Sequence, residues 1–425
     1  MTTQILPKDY SLSSLLANSP KLDAFCRSIL VKKLKMLTKG KVIIIDRSFG
    51  HETTKVFGDL ESMIVATVIV LKSSFYSRTT LGGSIGNAES YVDGDWECDE
   101  LQNLVRIFVL NRDALNSIDG GIGKLLNPVQ KYVHGLRGNT LKGSRENIRA
   151  HYDIGNDFFK LFLDETMMYS SALFEKPGDD LKIASLRKIK TICDRLRLKP
   201  EDRVIEIGTG WGSLAIYAAQ NYGCHVTTTT ISKEQFNYAS EKVKELGLQD
   251  KVNVIFEDYR GLTGTYDKLV SIEMIEAVGL VNLPVYFQKC SSLLKPDGLM
   301  VIQAITIRDS YYENAKNSVD FIQRHIFPGG GLPSVHAMME SVMGKTDLVL
   351  IEQKDYAEDY AQTLLKWGEN LKLAQGKLRE LGYPDYLYRL WHFYFSYCEG
   401  GFRERAIGLS QMVFTKTLYR ERSLL

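Results

Sequence analysis

Val204-Ile205-Glu206-Ile207-Gly208-Thr209-Gly210-Trp211-Gly212-Ser213 is the stretch whose residue types and spacing say most about chemistry. A short apolar run ends in alternate glycines, and a helical pattern starts at Leu214. A strand, a tight turn and a helix N-terminus in that order let bare backbone and unpaired N–H groups press against a polar or anionic ligand. The spacing Glu-x-Gly-x-Gly-x-Gly differs from the dinucleotide fingerprint, and the Lys of a phosphate loop is missing. The same residues also allow a strand–helix turn with no ligand. The His residues (51, 134, 151, 225, 325, 336, 392) and Cys residues (26, 98, 193, 224, 290, 398) lack metal-ligand spacing, so no metal site is expected.

Alternating strand and helix signals surround this loop. Arg203–Ile207, His225–Thr229, Val252–Phe256, Lys268–Ile272 and Leu299–Thr306 read as strands. Ser213–Tyr222, Ser232–Leu246 and Leu283–Leu294 read as helices between them. The pattern is that of a parallel, doubly wound α/β sheet, with its ligand outside the strands' carboxyl ends near the first switch point. Upstream, β-branched runs at Val42–Ile45 and Met63–Leu71 predict a smaller N-terminal α+β domain. Asp119-Gly120-Gly121-Ile122-Gly123 is the linker candidate, with a second loose stretch over 135–143; this divides the chain into domains 1–123 and 124–425.

Further ordered motifs accompany the loop. They are His151-Tyr152-Asp153-Ile154-Gly155-Asn156-Asp157-Phe158-Phe159, Asp164-Glu165-Thr166-Met167-Met168-Tyr169-Ser170-Ser171-Ala172 and Ser271-Ile272-Glu273-Met274-Ile275-Glu276-Ala277-Val278-Gly279. Then follow His325-Ile326-Phe327-Pro328-Gly329-Gly330-Gly331-Leu332-Pro333-Ser334 and Tyr394-Phe395-Ser396-Tyr397-Cys398-Glu399-Gly400-Gly401-Phe402. Together they resemble the cyclopropane fatty-acyl-phospholipid synthase family, whose members alkylate double bonds of lipid chains with S-adenosylmethionine. The resemblance is dense over residues 134–416 and implies a Rossmann-like, methyltransferase-type catalytic domain.

For the cofactor, the resemblance implies that Gly208, Gly210 and Gly212 surround the methionine moiety, with Tyr152, Tyr169 and Ser170 closing over it. Thr228-Thr229-Thr230 stands where other dinucleotide folds carry a ribose-binding acid. Thr230 and Gln235 match the family's ribose side; Ser232-Lys233-Glu234-Gln235 also reads as a capping box. Asp258 and Tyr259 match the adenine side, though each also reads as a plain loop residue.

An alkene is a weak, neutral nucleophile, so its attack on a sulfonium methyl needs close, dry positioning. The resulting carbocation needs a base, and aromatic faces can stabilise it. The family commonly holds bicarbonate as that base. By resemblance Glu276, the Ile305 amide and Tyr360 would be ligands of the anion. Two positions depart from the family: Ser171 stands where many members have Cys, and Gln303 where many have His. Ser and Gln can hydrogen-bond an oxyanion, but Gln303 cannot titrate and Ser171 brings no thiol, which puts bicarbonate in doubt. A protein carboxylate could take its place, with Glu146 the candidate; Glu146 also reads as a surface partner of Arg145 or Arg149.

The expected reaction is one-carbon transfer to an unsaturated phospholipid acyl chain, giving a cyclopropane. A methylene or methyl branch on the same chains is the alternative outcome, and a non-catalytic lipid-binding protein the alternative class. A net charge of +2 gives no field for nucleic acid. Ser28-Ile29-Leu30-Val31-Lys32-Lys33-Leu34-Lys35, continuing to Lys39 and Lys41, suits an anionic bilayer surface, or equally a packed helix with solvated lysines. No run reaches transmembrane length, no secretory leader is recognised, and the scattered Cys suit a reducing compartment. The expectation is therefore a cytoplasmic protein, peripheral on the inner face of a membrane. Whether it works as a homodimer is not written in the sequence.

Overall fold

The computed structural model describes residues 19–116, 154–176 and 178–420. Glu146, His151, Tyr152 and both loop stretches at 119–123 and 135–143 lie outside the described residues. The chain forms two compact units, one of residues 1–136, 317–328 and 364–406, the other of 137–316, 329–363 and 407–425.

In the first unit, β1 (Lys41–Asp46) lies antiparallel to β2 (Thr53–Gly58) and parallel to β3 (Val65–Val70), which pairs antiparallel with β4 (Trp96–Cys98). Strands β1 and β3 alternate half-buried and buried residues, the period expected of a sheet with one covered face. The lysine-rich stretch starts on helix Pro20–Leu34, which Ser19 caps. It is a packed helix, with Cys26 and Leu34 buried while Lys32 and Lys35 are exposed.

Helix Asp385–Arg403 belongs to this unit, although the single cut at 123/124 assigns it to the catalytic domain. The reason is close packing within the unit. A Cβ at Gly400 would meet Val105 Cβ at 2.8 Å and the Gln102 carbonyl at 2.9 Å, so helix Leu101–Leu110 lies against bare backbone. Tyr91 and His392 add a hydrogen bond of 2.9 Å. The Glu399-Gly400-Gly401 motif thus has a local packing role.

The second unit holds a seven-stranded sheet. In chain order its strands are β5 (Arg203–Ile207), β6 (His225–Thr230), β7 (Val252–Phe256), β8 (Tyr266–Ile272), β9 (Leu294–Ile307), β10 (Val349–Asp355) and β11 (Ile407–Thr415). Across the sheet they run β10-β11-β9-β8-β5-β6-β7. Strands β5 to β9 pair in parallel; β11 is antiparallel to β9, and β10 to β11. Each expected strand and helix of the α/β region appears, Ser232 serving as the cap of helix Lys233–Glu245 through a 3.3 Å bond from the Gln235 N–H. The antiparallel pair β10 and β11 was not foreseen.

Alternation along the strands fills a core on each face. Val204, Val270 and Val301 pack with Ile192, Leu196, Leu214 and Ala218, while Ile205, Leu269 and Ile302 pack with Tyr286 and Phe287. Burying each such side chain is worth about 1.5–3 kcal/mol, so the strand ends that carry the site rest on a stiff support.

Candidate active site

Strand β5 ends at Ile207, and the chain turns through Gly208 (φ 104°), Gly210 (φ 53°) and Gly212 (φ 91°) before helix Ser213–Tyr222. The N–H groups of Gly208 and Thr209 both donate to the Thr229 carbonyl, at 3.1 and 3.0 Å. A Cβ on Gly208 would lie 3.3 Å from Met274 Cβ and one on Gly212 3.2 Å from Ala239 Cβ, so those glycines serve close packing. Among the described residues a Cβ on Gly210 would meet nothing within 4 Å, so they leave the loop open at its centre. That open cradle of bare backbone beside a helix N-terminus fits the polar end of S-adenosylmethionine.

The segment 155–172 is fastened to this loop. Trp211 Nε1–H donates to Asn156 Oδ1 at 2.8 Å, its ring lies 5.0 Å from that of Phe159, and the Ser213 hydroxyl donates to the Thr166 carbonyl. Tyr169 packs edge-on to Phe159 at 5.3 Å. The Ser170 hydroxyl is buried and receives a 2.6 Å bond from Lys188 Nζ.

The other expected cofactor residues divide. Gln235 is buried, and its Oε1 accepts from the Thr230 hydroxyl at 2.9 Å, which holds the side chain beside the end of β6. Asp258 is already ion-paired with Arg260, at 2.7 Å to Nε. Tyr259 packs into the core, its ring 5.5 Å from Tyr286.

Strands β8 and β9 bring the expected catalytic residues together, but around a carboxylate that sequence reasoning passed over. The Ser271 hydroxyl at the end of β8 donates to the Ile207 carbonyl at 3.0 Å, which sets the end of β8 beside the glycine loop. Glu273 follows, in the left-handed region at φ 48°. Its Oε1 accepts from the Ser171 N–H at 2.9 Å and from Gln303 Nε2 at 2.6 Å; its Oε2 accepts from the Tyr360 hydroxyl at 2.7 Å. Ser171 acts through its backbone, because its hydroxyl donates to the Ala172 carbonyl. The Ile305 N–H donates to Glu276 Oε1 at 2.5 Å, and Glu276 Oε2 is shielded from solvent without a hydrogen bond. The residues assigned to an anion therefore close on two protein carboxylates.

Supporting contacts fix these donors. Gln411 on β11 stands in register with Gln303 on β9, and its Nε2 donates to Gln303 Oε1 at 2.7 Å. Arg195 in turn donates to Gln411 Oε1. The Gln303 amide must therefore turn its NH2 towards Glu273. Tyr360, on helix Ala357–Leu373, is held as Thr363 Oγ1 accepts from the Ala172 N–H at 3.0 Å and Asp359 from the Phe174 N–H at 2.7 Å.

Burial dominates the electrostatics. It pushes Glu276 up to about 8, with the charge of Glu273 pushing the same way. Glu206, which accepts from the Thr228 hydroxyl at 2.6 Å, is likewise pushed up to about 8 by burial. Burial raises Glu273 too, opposed by the cation of Lys188 and by its three donors. Lys188 is completely buried and pushed down to about 8, held up in part by Glu273, Asp164 and Glu206. Sequence signals for the two missed residues did exist. Lys188 falls on the apolar stripe Leu181, Ala184, Ser185, Ile189, Ile192 of its helix, and Glu273 stands at a strand's carboxyl end three residues before Glu276. Among the described residues no group of three or more His, Cys, Asp or Glu could hold a metal ion.

Comparison with known proteins places these features in a family. The model for mycolic acid cyclopropane synthetase matches residues 139–412. The chain is similar to the cyclopropane-fatty-acyl-phospholipid synthase of Escherichia coli, 34% identical over 83% of this chain and 88% of the relative. It is also similar to the tuberculostearic acid methyltransferase UfaA1 of Mycobacterium tuberculosis, 35% identical over 80% of this chain and 79% of that one. Among solved structures it resembles the mycolic acid cyclopropane synthase CmaA1 complexed with SAH and CTAB. There the TM-score is 0.60 at 28% identity, covering 64% of this chain and 98% of the other.

Proposed function

Because the chain belongs to the mycolic acid cyclopropane synthetase family, and is thus an S-adenosylmethionine-dependent methyltransferase acting on acyl-chain double bonds, we propose that its substrate is an unsaturated phospholipid and its product a cyclopropane chain. The observation that carries this reading is the buried, donor-lined carboxylate pair Glu273 and Glu276 at the end of β8, one packing contact from the glycine loop. A methyltransferase acting on an oxygen or nitrogen nucleophile needs no base for a carbocation; one acting on an alkene does.

Bound S-adenosylmethionine supplies an electrophilic methyl on a positively charged sulfur. Phe159, Phe162, Tyr169 and Trp211 pack as one aromatic cluster; in this reading the cluster keeps water from the reacting carbons and offers an electron-rich face to positive charge. Tyr360, Gln303 and the Ser171 N–H hold a carboxylate ready for the proton that must leave.

A methylene or methyl branch on the same chains is the second reading. The likeness to a relative named a methyltransferase rather than a cyclopropane synthase supports it. In either reading the enzyme works at a membrane's inner face, the exposed Phe25 and the lysines of helix Pro20–Leu34 support peripheral docking, and a homodimer is the assembly to test. No described helix is long and apolar enough to cross a membrane.

The test incubates the protein with methyl-labelled S-adenosylmethionine and vesicles of a mono-unsaturated phospholipid. Lipid chains should gain one labelled CH2. Mild hydrogenation then separates the products, since a methylene takes up hydrogen and a ring survives. Absence of label in the lipid, with cofactor affinity intact, would refute the substrate class.

A further inference from the structure

We propose that Glu273 is the built-in base of this enzyme and that its carboxylate takes the place of any separate anion in the cradle formed by Ser171, Gln303 and Tyr360. The inference rests on the alkene-alkylating reading above and assigns its proton acceptor.

The donor count is the first argument. A backbone N–H and a phenol each have one hydrogen to give, and both are already given to Glu273, at 2.9 Å from Ser171 and 2.7 Å from Tyr360. One N–H of the Gln303 amide is committed to Glu273 at 2.6 Å, and the amide's other end is pinned by Gln411. A free oxyanion would have to displace the carboxylate from its own donors. Three donors to one carboxylate also favour its charged form, the form that can accept a proton.

Glu276 does not compete for this role. It receives the Ile305 N–H on one oxygen, and its other oxygen is dry and unpartnered. Burial together with the neighbouring Glu273 charge holds its proton near neutrality. A carboxyl pair whose surroundings differ in this way divides into one acid and one base. Lys188 supplies the compensating cation from beneath, bonded to Ser170 at 2.6 Å. The backbone is a further sign. Glu273 sits at φ 48°, a strained conformation for a non-glycine residue, and strain of this kind gathers at working sites.

The step balances without a further reactant. The alkene π pair forms a bond to the methyl carbon, and the carbon–sulfur pair returns to sulfur, which becomes a neutral thioether. The positive charge moves to the acyl chain. A C–H bond of the transferred methyl then gives its proton to Glu273, which becomes neutral; the freed pair closes the ring, or, where a hydride has first shifted to the cationic carbon, forms a methylene. The proton later leaves to water and restores the carboxylate. Among the described residues, donors use two lone-pair sites on Oε1 and one on Oε2, so Oε2 keeps one for that proton.

Two variants test the assignment. Glu273→Gln keeps the shape and removes basicity; turnover should fall at least about 100-fold while S-adenosylmethionine affinity by calorimetry stays within threefold. Glu273→Gly removes the carboxylate and suits φ 48°, leaving a carboxylate-sized void lined by donors. Formate or bicarbonate should raise the melting temperature of Glu273→Gly and restore its turnover saturably, while wild type shows neither effect in carbonate-free buffer. Turnover of wild type that requires added bicarbonate, or a Glu273→Gln protein within threefold of wild type, would overturn the proposal. The melting-temperature arm needs no lipid: anion-stabilised Glu273→Gly beside a wild type that labels no phospholipid would sink the substrate reading and spare the cradle. Equal anion stabilisation of wild type and variant would sink the cradle.

Discussion

Replacing Gly210 with Ala separates a ligand-binding loop from a merely tight turn. At φ 53° an added Cβ costs about 1–2 kcal/mol of backbone strain, and none of the described residues lies within 4 Å to clash with it. Stability should therefore fall by that strain alone, a melting shift of only a few degrees for a unit of this size. The methyl would stand in the space the cofactor's methionine end needs. Forced overpacking costs about 1–3 kcal/mol, which is about a 5- to 150-fold loss of affinity. Gly247 is the control, because it also has positive φ (65°) and an open Cβ position, yet caps a helix far along the chain from the loop. Gly247→Ala should show the same melting shift with unchanged affinity. The assay is calorimetric titration with S-adenosylmethionine beside thermal unfolding. Equal affinity in the two variants would refute the loop assignment; a Gly210→Ala protein that unfolds far below its control would refute the claim of open space.

Lys188→Met should cost about 3 kcal/mol, since it leaves Glu273 and Glu206 without their buried cation. Because that cation holds Glu273 down, its loss should also move the acid limb of the turnover–pH profile to higher pH, and an unmoved limb would remove Lys188 from the base's surroundings. Stability should fall as pH rises from 4.5 towards 8, because Glu206 and Glu276 keep protons in the folded state that the unfolded chain releases. Urea unfolding of Glu206→Gln across this window should lose up to about 1.4 kcal/mol less per pH unit than wild type, and parallel curves would show that Glu206 does not titrate there. Vesicle binding should weaken with salt if the lysines of helix Pro20–Leu34 contribute, because exposed charges are screened within about 10 Å at 0.1 M. Salt-insensitive binding would move docking to Phe25 and its apolar neighbours, and no binding at all would contradict the phospholipid.

Much of the α/β sheet was legible because its signals are local. Short β-branched runs end in glycines or caps, and Arg203–Ile207 and Val252–Phe256 fall as read. What local pattern cannot carry is partnership across the chain. Strand β11 adds antiparallel to β9, and only that register puts Gln411 behind Gln303. The return of residues 364–406 to the first unit depends on Gly400 meeting Val105, a contact between segments almost 300 positions apart. Glu276, Ser171, Gln303, Ile305 and Tyr360 were named from motif correspondence, and they do converge. The partner shared by Ser171, Gln303 and Tyr360 was missed because Glu273 lay inside a motif already explained by its neighbour.

The two departures from the family pattern then read as one coherent change. A thiol and an imidazole can adjust their protonation to an anion that comes and goes. Ser171 offers instead a backbone N–H, its hydroxyl turned away to the Ala172 carbonyl, and Gln303 offers an amide that never titrates. Fixed donors suit a fixed acceptor. Arg195 and Gln411 orient the Gln303 amide, Thr363 and Asp359 tie the first turns of the Tyr360 helix to the Ala172–Phe174 segment, and all three donors point at a carboxylate the chain supplies itself. Restoring a titratable His at 303 alone should therefore impair rather than improve catalysis, since a neutral imidazole need not present its N–H to Glu273 and loses the amide contact with Gln411.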